Sequence, residues 1–386
     1  MNQDFFTPID DSLALRLASH SSACLGKKIK IHSHQEGFPD LENVQIAIFG
    51  VNEDRNSQNN FGCGEDLLII REKFYQLFPG KWHTNIVDLG TIEKGNQVSD
   101  TYFAVKEMIT FLLKNNIIPI IIGGGQDITY VNYRAYDALE QSVNITAVDS
   151  RFDLGNLEEE LTSQSYLSKI IMQEPNNLFN YCNVGYQTYF NSQEEISLLD
   201  NLFFDTYRLG EAKVLENIEP AFRNSDIVSI DIGAVRQSEA PANNNSSPNG
   251  FYGEEICAIS RYAGLSDKVS SFGIYEYNSK HDNNDQTAHL IAQMIWYFIE
   301  GVNFRVKDYP FSGKENYQKF TVLLEEDEPL LFYKSNKSGR WWIEINILSN
   351  NKYKRHALIP CTYKDYKDAT KQLIPEKWYK AMRKMV

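Results

Sequence analysis

The stretch Ile117-Ile-Pro-Ile-Ile-Ile122, running straight into Gly123-Gly124-Gly125, constrains the fold more than any other part of the chain. It is apolar at both odd and even positions, so as a strand it needs cover on both faces. That is the pattern of a central strand in a parallel sheet. It is also far too short to cross a membrane. The three glycines supply the backbone freedom for a tight turn where the strand ends.

Other short apolar runs alternate with amphipathic segments around it. Strands are expected at 44–50, 85–90, 145–148, 182–185, 227–232 and 271–275, with a short one after 203. Helices are expected at 100–115, near 130–139, 166–172 and 194–203, then at 254–262 and 286–300. Asp100 is expected to cap the first of these. Repeated strand–helix alternation predicts an α/β fold, a mostly parallel sheet with right-handed crossovers and helices on both faces. The Asn- and Ser-rich stretch Asn243–Gly250 is expected to be the main loop.

The texture differs at the two ends. Residues 1–43 are mixed and polar and are expected to form an arm with a short helix at 11–20. Residues 44–304 carry the α/β pattern. Residues 305–386 are expected to form a small β-rich appendage, with strands at 320–323, 330–333 and 341–348, a hairpin loop at 335–339 and a closing helix at 375–385. Trp341, Trp342 and Trp378 would pack its core, or less expectedly form a ligand-binding aromatic face.

Charge follows the same division. The last 82 residues carry 17 basic and 10 acidic side chains, a net +7, which leaves −20 for the rest of a chain whose total is −13. A nucleic-acid-binding tail would look like this, but the plainer account is a basic appendage docked on an acidic body or on a neighbour in an oligomer. The five cysteines (Cys24, Cys63, Cys182, Cys257 and Cys361) are scattered and form no CxxC pair, so neither a disulfide framework nor a cysteine zinc site is expected. With no apolar run of membrane length and no secretory pattern at the start, the expected setting is a reducing cytoplasm.

Three of the expected strands end in polar residues that could meet at the carboxyl edge of the sheet, where open α/β folds gather ligands. These are Gly123-Gly-Gly-Gln126-Asp127, Asp149-Ser-Arg151-Phe-Asp153 and Ser229-Ile-Asp231-Ile-Gly233. Carboxylates in such places need a metal, an arginine or a raised pKa.

In this order the three motifs resemble those of the ureohydrolase family, which includes arginase, agmatinase and formimidoylglutamase. Its members carry a Gly-Gly-x-His turn, Asp-x-His-x-Asp and Ser-x-Asp-x-Asp. Ala240-Pro241, Pro248-Asn249-Gly250 and Gly273-Ile-Tyr-Glu276-Tyr-Asn278 extend the resemblance from about Val44 to Phe304. It implies a three-layer α/β/α subunit, an oligomer, and hydrolysis of a guanidinium or formimino carbon by two manganese ions and a bridging hydroxide. Asp149, Asp153 and Asp231 match carboxylate ligands, and Glu276 matches a position that contacts the substrate's cationic group. Gln126 and Arg151, however, stand where the family has histidine ligands, and Gly233 where it has an aspartate. The seven histidines (His20, His32, His34, His83, His281, His289 and His356) all lie outside these motifs.

Sorted by ion, the resemblance leaves at most one site. Gln126, Asp149, Asp153 and Asp231 could offer oxygen to one Mn²⁺, Mg²⁺ or Ca²⁺. The second ion loses its place, because a permanently charged guanidinium cannot ligate a cation. Arg151 is expected to fill that place and pair with Asp149, Asp231 or Glu276. One positive charge against three or more carboxylates predicts a remaining cation, a second basic residue or a protonated aspartate. His281 is a weaker acid–base candidate. The favoured reading is a non-hydrolytic or strongly impaired relative acting as a scaffold or small-molecule binder. The alternatives are a C–N hydrolase of an amidine or guanidine using at most one metal, and an interaction protein working through its basic appendage.

Overall fold

The computed structural model describes residues 3–17, 19–155, 160–310, 313–325, 328–345 and 358–384. In chain order the body contains strands β1 (Phe6–Thr7), β2 (Lys30–Ile31), β3 (Ile46–Val51), β4 (Ile86–Ile92), β5 (Ile118–Ile122), β6 (Val143–Val148), β7 (Leu178–Tyr186), β8 (Asp205–Arg208), β9 (Ile227–Asp231) and β10 (Ser271–Tyr275). They form one sheet in the order β1-β4-β3-β5-β10-β9-β6-β7-β8, with β2 also paired to β4. Only the β1–β4 pairing is antiparallel. The body helices are α1 (Asp11–Leu17), α2 (Leu68–Gln76), α3 (Val98–Lys114), α4 (Ile128–Ala135), α5 (Tyr166–Met172), α6 (Gln193–Asn201), α7 (Leu209–Ala212), α8 (Leu215–Asn224), α9 (Gly253–Leu265) and α10 (Gln286–Asn303).

The strand pattern explains the layers. Along β3, Ile46 and Ile48 point into the core under α2, α9 and α10, while Ala47, Phe49 and Val51 point into the core under α3. The same alternation splits β5, with Ile120 and Ile122 on one side and Ile121 on the other. A third cluster continues the second layer beneath α5 and α6. Each fully buried side chain of this kind contributes roughly 1.5–3 kcal/mol. The result is the three-layer α/β/α arrangement with a mostly parallel sheet that the pattern predicts.

Several boundaries moved for identifiable reasons. α3 begins at Val98 rather than Asp100, because Asp100 sits at the third helical position and its Oδ2 accepts the backbone N–H of Gln97 (2.8 Å) in a capping box. Helix α2 was not anticipated. Its buried Arg71 breaks the apolar pattern, and that arginine is held by Asp88 of β4 at 2.9 Å, an aspartate that Tyr75 also contacts. Helix α8 was obscured in the same way by Pro220 and the buried Arg223.

The appendage is a four-stranded antiparallel sheet, β11 (Tyr317–Val322), β12 (Leu330–Ser335), β13 (Trp341–Glu344) and β14 (Leu358–Cys361), with helices α11 (Tyr363–Ala369) and α12 (Glu376–Arg383). The expected strand at 341–348 is described only to residue 345, and the last residue of the expected closing helix also lies outside the described residues. Trp341 and Trp342 are buried, and Trp378 donates to the Glu344 carbonyl at 2.8 Å, so the tryptophans build the core. Residues 335–339 form the turn between β12 and β13.

A buried arginine fastens the appendage to the body. Arg223 of α8 donates to the carbonyls of Trp341 (3.1 Å) and Cys361 (2.8 Å) and pairs with Glu219 at 2.9 Å. Its guanidinium lies 4.7 Å from the Trp342 ring centroid. Among the described residues no helix is long and apolar enough to cross a membrane, and all five cysteines are buried and free. Replacing Arg223 with Met strands two buried carbonyls, so the variant is expected to lose about 2–4 kcal/mol in chemical denaturation. Limited proteolysis should then cut near residues 305–310 sooner than in the parent, and unchanged unfolding and cleavage would show that the appendage docks by other means.

Candidate functional site

Strand register brings the candidate residues to one level. In β10, Ile274 lies beside Ile122 of β5 and Tyr275 beside Asp231 of β9, while Ile230 of β9 lies beside Val148 of β6. The residues that follow therefore emerge together from four adjacent strands: Gly123 onward from β5, Glu276 from β10, Asp231 from β9 and Asp149 from β6. The turn after β5 needs its glycines, since Gly123 and Gly124 have φ of 83° and 78°. It is pinned across the sheet by Gly123 N to the Ile274 carbonyl and by Glu276 N to the Gly124 carbonyl, each 2.9 Å. Glu276 itself adopts φ of 66°, and Asp153 53°, a conformation such side chains rarely take.

Neutral donors hold three of the four carboxylates. Glu276 is buried and accepts from Ser57 Oγ on both oxygens (3.0 and 2.9 Å), from Asn60 Nδ2 (2.7 Å) and from Gln126 N (2.9 Å). Asp149 Oδ1 accepts the backbone N–H of Arg151 (2.8 Å), and Asp231 Oδ1 accepts that of Gly233 (2.6 Å) and the Asn243 amide (3.2 Å). Ser57, Asn60 and Asn243 were missed from sequence. The usable signal was a polar loop directly after β3, the same position relative to its strand as the motifs after β5 and β6.

Gln126 is buried with its amide nitrogen on Ser229 Oγ (2.9 Å), and its Oε1 has no partner among the described residues. Asp149 Oδ2 is likewise buried without a donor among the described residues. A proton on the neighbouring Asp153 would supply one, and burial favours that proton. Desolvation pushes Asp153 well above the usual carboxylate range, helped by the nearby charges of Asp149 and Asp231. Desolvation also raises Asp231 strongly, with Asp149 and Glu276 adding to it, and it raises Asp149 and Glu276. Beside the turn, burial brings Asp127 up to about 7 although Tyr102 donates to it at 2.5 Å.

Arg151 does not pair with these carboxylates, which corrects the expectation that it would fill a cation's place. Among the described residues its guanidinium makes no ion pair within 4.0 Å and instead lies 4.4 Å from the Phe190 ring centroid. The cause is local: its N–H is turned back onto Asp149, which sends the side chain outward. Its charge still reaches the cluster, easing the burden on Asp149, Asp153 and Asp231. His281 is exposed and lies outside the cluster.

The two-manganese cluster implied by the resemblance does not fit these side chains. Gln126, Arg151 and Gly233 replace three ligands, and among the described residues no three His, Cys, Asp or Glu side chains are grouped to hold a metal ion. The buried, unsatisfied Gln126 Oε1 and Asp149 Oδ2 are the donors that remain for a single cation.

The raised carboxyls give the pH dependence a definite sign. In the folded state these groups bind protons that the unfolded chain has released, so the stability they contribute is full below about pH 4 and is lost as pH rises through the raised folded values. Without added metal, unfolding free energy is expected to fall between pH 4.5 and pH 8. An Asp153→Asn/Asp231→Asn variant should show a shallower fall; equal slopes in denaturation series would place the protons elsewhere.

Comparisons with known proteins agree with this geometry. Residues 44–300 match the model of the arginase family. The formimidoylglutamase of Staphylococcus haemolyticus is 25% identical over 289 residues, covering 69% of this chain and 92% of that protein. One from a Geobacillus strain is 27% identical over 223 residues, covering 54% of this chain and 68% of that protein. In structure, the manganese-bound formiminoglutamase of Trypanosoma cruzi aligns with a TM-score of 0.65 at 18% identity, over 73% of this chain and 99% of that one. The Bacillus subtilis formimidoylglutamase aligns with a TM-score of 0.66 at 16% identity, over 77% and 99%. With an acidic cluster at the ends of three adjacent strands and a family match across two thirds of its length, this chain belongs to the arginase family.

Proposed function

We propose that this protein is a C–N hydrolase of a linear amidine or guanidine, similar to formimidoylglutamase, that works with at most one divalent cation. The observation that carries the proposal is the retention of Asp149, Asp153 and Glu276, all buried, with the partly buried Asp231 in one cluster at the ends of three adjacent strands, in a chain that matches almost the full length of a formimidoylglutamase. A cluster with this excess of negative charge attracts a cationic, planar headgroup. Glu276, its two oxygens fixed by Ser57, Asn60 and Gln126 N, would orient that headgroup. Asp153 and Asp231, which keep their protons more readily than Asp149, suit delivery of a proton to the leaving nitrogen, and Asp149 suits acceptance of one from water. A divalent ion, when bound, would polarise the water or the carbon under attack.

A second reading rests on Gln126, Arg151 and Gly233. Loss of three family ligands favours a non-hydrolytic pseudoenzyme that binds the same cationic class without turning it over. Under either reading the proposal includes a homo-oligomer by family resemblance, a cytoplasmic setting consistent with five free cysteines, and 305–386 as a docked appendage.

Formimidoylglutamate, agmatine and arginine, each assayed with and without Mn²⁺, should include one substrate that is hydrolysed, and Asp231→Asn should lower kcat by about 10²-fold or more. No product from any of the three would leave the second reading standing. Metal analysis after manganese loading should find zero or one ion per chain, rising in an Arg151→His/Gly233→Asp variant. A Cβ at Gly233 meets only side-chain atoms at 3.0 Å or beyond, so that variant can be accommodated by small shifts. Two ions bound tightly by the parent would contradict the one-cation limit.

A further inference from the structure

The guanidinium of Arg151 differs in its partners from the other buried arginines near the sheet. Arg71 is held by Asp88 and the Gly90 carbonyl, Arg223 by Glu219 and two carbonyls, and Arg305 by the carbonyls of Gly264 and Val269. Arg151 is half-buried, and among the described residues its guanidinium makes no ion pair and lies against the face of Phe190. Its backbone is fully used, with the N–H on Asp149 and the carbonyl accepting from Asn183 Nδ2 at 2.8 Å, so the main chain from which the side chain departs is held in the turn after β6. Phe190 is positioned in turn by its N–H on the Gln187 carbonyl (2.9 Å) and by Asn191, whose side chain accepts from Phe152 N (2.8 Å) and donates to the Ser150 carbonyl (3.1 Å).

This is a ring-backed guanidinium whose hydrogen-bonding edge has no partner among the described residues, beside an acidic cluster. We propose that Arg151 reads a carboxylate on the ligand, so that the site takes a zwitterion: a cationic amidine or guanidine end towards Asp231 and Glu276, and a carboxylate end on Arg151. The planar fork of donors matches a carboxylate in two parallel hydrogen bonds, and the aromatic backing preserves the fork's orientation. The inference deepens the proposed function by naming the ligand class, and it rests on that reading only for the position of the site.

L-Arginine and agmatine form a matched pair of probes, since they share a guanidinium and differ by one carboxylate. In calorimetric titration of the full chain, L-arginine is expected to bind at least about tenfold more tightly than agmatine, the difference one charge-assisted hydrogen-bonded pair produces. Arg151→Gln should erase that preference while leaving agmatine binding intact, and Arg151→Lys should restore part of it. N-formimidoyl-L-glutamate should compete with L-arginine in the parent and not in Arg151→Gln. The inference is overturned if the parent binds both probes alike, if Arg151→Gln keeps the preference, if inorganic phosphate competes as well as L-glutamate, or if L-arginine and N-formimidoyl-L-glutamate both fail to bind. Binding with the expected preference but without turnover would reject the hydrolase reading and keep this one; turnover without a carboxylate preference would do the reverse.

Discussion

Three adjacent parallel strands in register, each ending in a largely desolvated carboxylate, impose the condition that everything around the site must meet. Asp149, Asp231 and Glu276 leave β6, β9 and β10 at one level, and Asp153 joins them from the turn after β6. Isolated carboxylates in such a place would cost far more than the protein's net stability. The surrounding loops therefore exist in the form they do because they carry donors. Ser57 and Asn60 reach Glu276 from the loop after β3, and the Asn-rich loop supplies Asn243 to Asp231 while Asn244 binds Asn60 and the Asn59 carbonyl. One loop thus supports the cluster and the other loop at once.

The donors chosen are neutral, and this decides the electrostatics. A hydrogen bond from an amide or hydroxyl satisfies an oxygen without cancelling its charge, so mutual repulsion persists and protons are retained instead. Apart from Arg151, the neighbouring cations are engaged elsewhere: Lys94 with Asp54, Arg55 with Glu53, and Lys280 with Glu65. The body's acidic balance is therefore concentrated where a cationic ligand would be most strongly bound. A desolvated site of this kind distinguishes a positive headgroup from a neutral one more sharply than surface charge could, since exposed charges are screened within about 10 Å.

The sheet and the level of the site were legible because strand ends and glycine turns leave strong local signals. Ile117–Gly125 places β5, and the ordered aspartates place the carboxyl ends of β6 and β9. What escaped were elements whose pattern is broken by function or docking. Arg71 in α2 and Arg223 in α8 are charged residues at core positions, and nothing nearby in sequence identifies Asp88, 17 positions away, or the Trp341 and Cys361 carbonyls, more than a hundred positions away, as their partners. The donors to Glu276 were equally hidden, since Ser57 and Asn60 lie more than two hundred positions from it. Residue types revealed which carboxylates matter; only the register and the loops reveal what satisfies them.

The direction of Arg151 shows how little sequence proximity says about charge pairing. It sits two residues from Asp149 and two from Asp153, and counting charges alone would join it to either. Yet an aspartate at the end of a strand preferentially accepts the backbone N–H two residues on. That is what both Asp149 and Asp231 do, with Arg151 and Gly233 as the respective donors. The two positions at which this chain departs from the family's second-ion ligands are thus the two whose main chain turns inward. At Gly233 the inward turn leaves no side chain to contribute, and at Arg151 it carries the guanidinium away from the aspartates to Phe190. Both departures leave the aspartates hydrogen-bonded to the main chain and aim no ligating side chain at them, so the carboxylate geometry persists without the family's residues at these two positions.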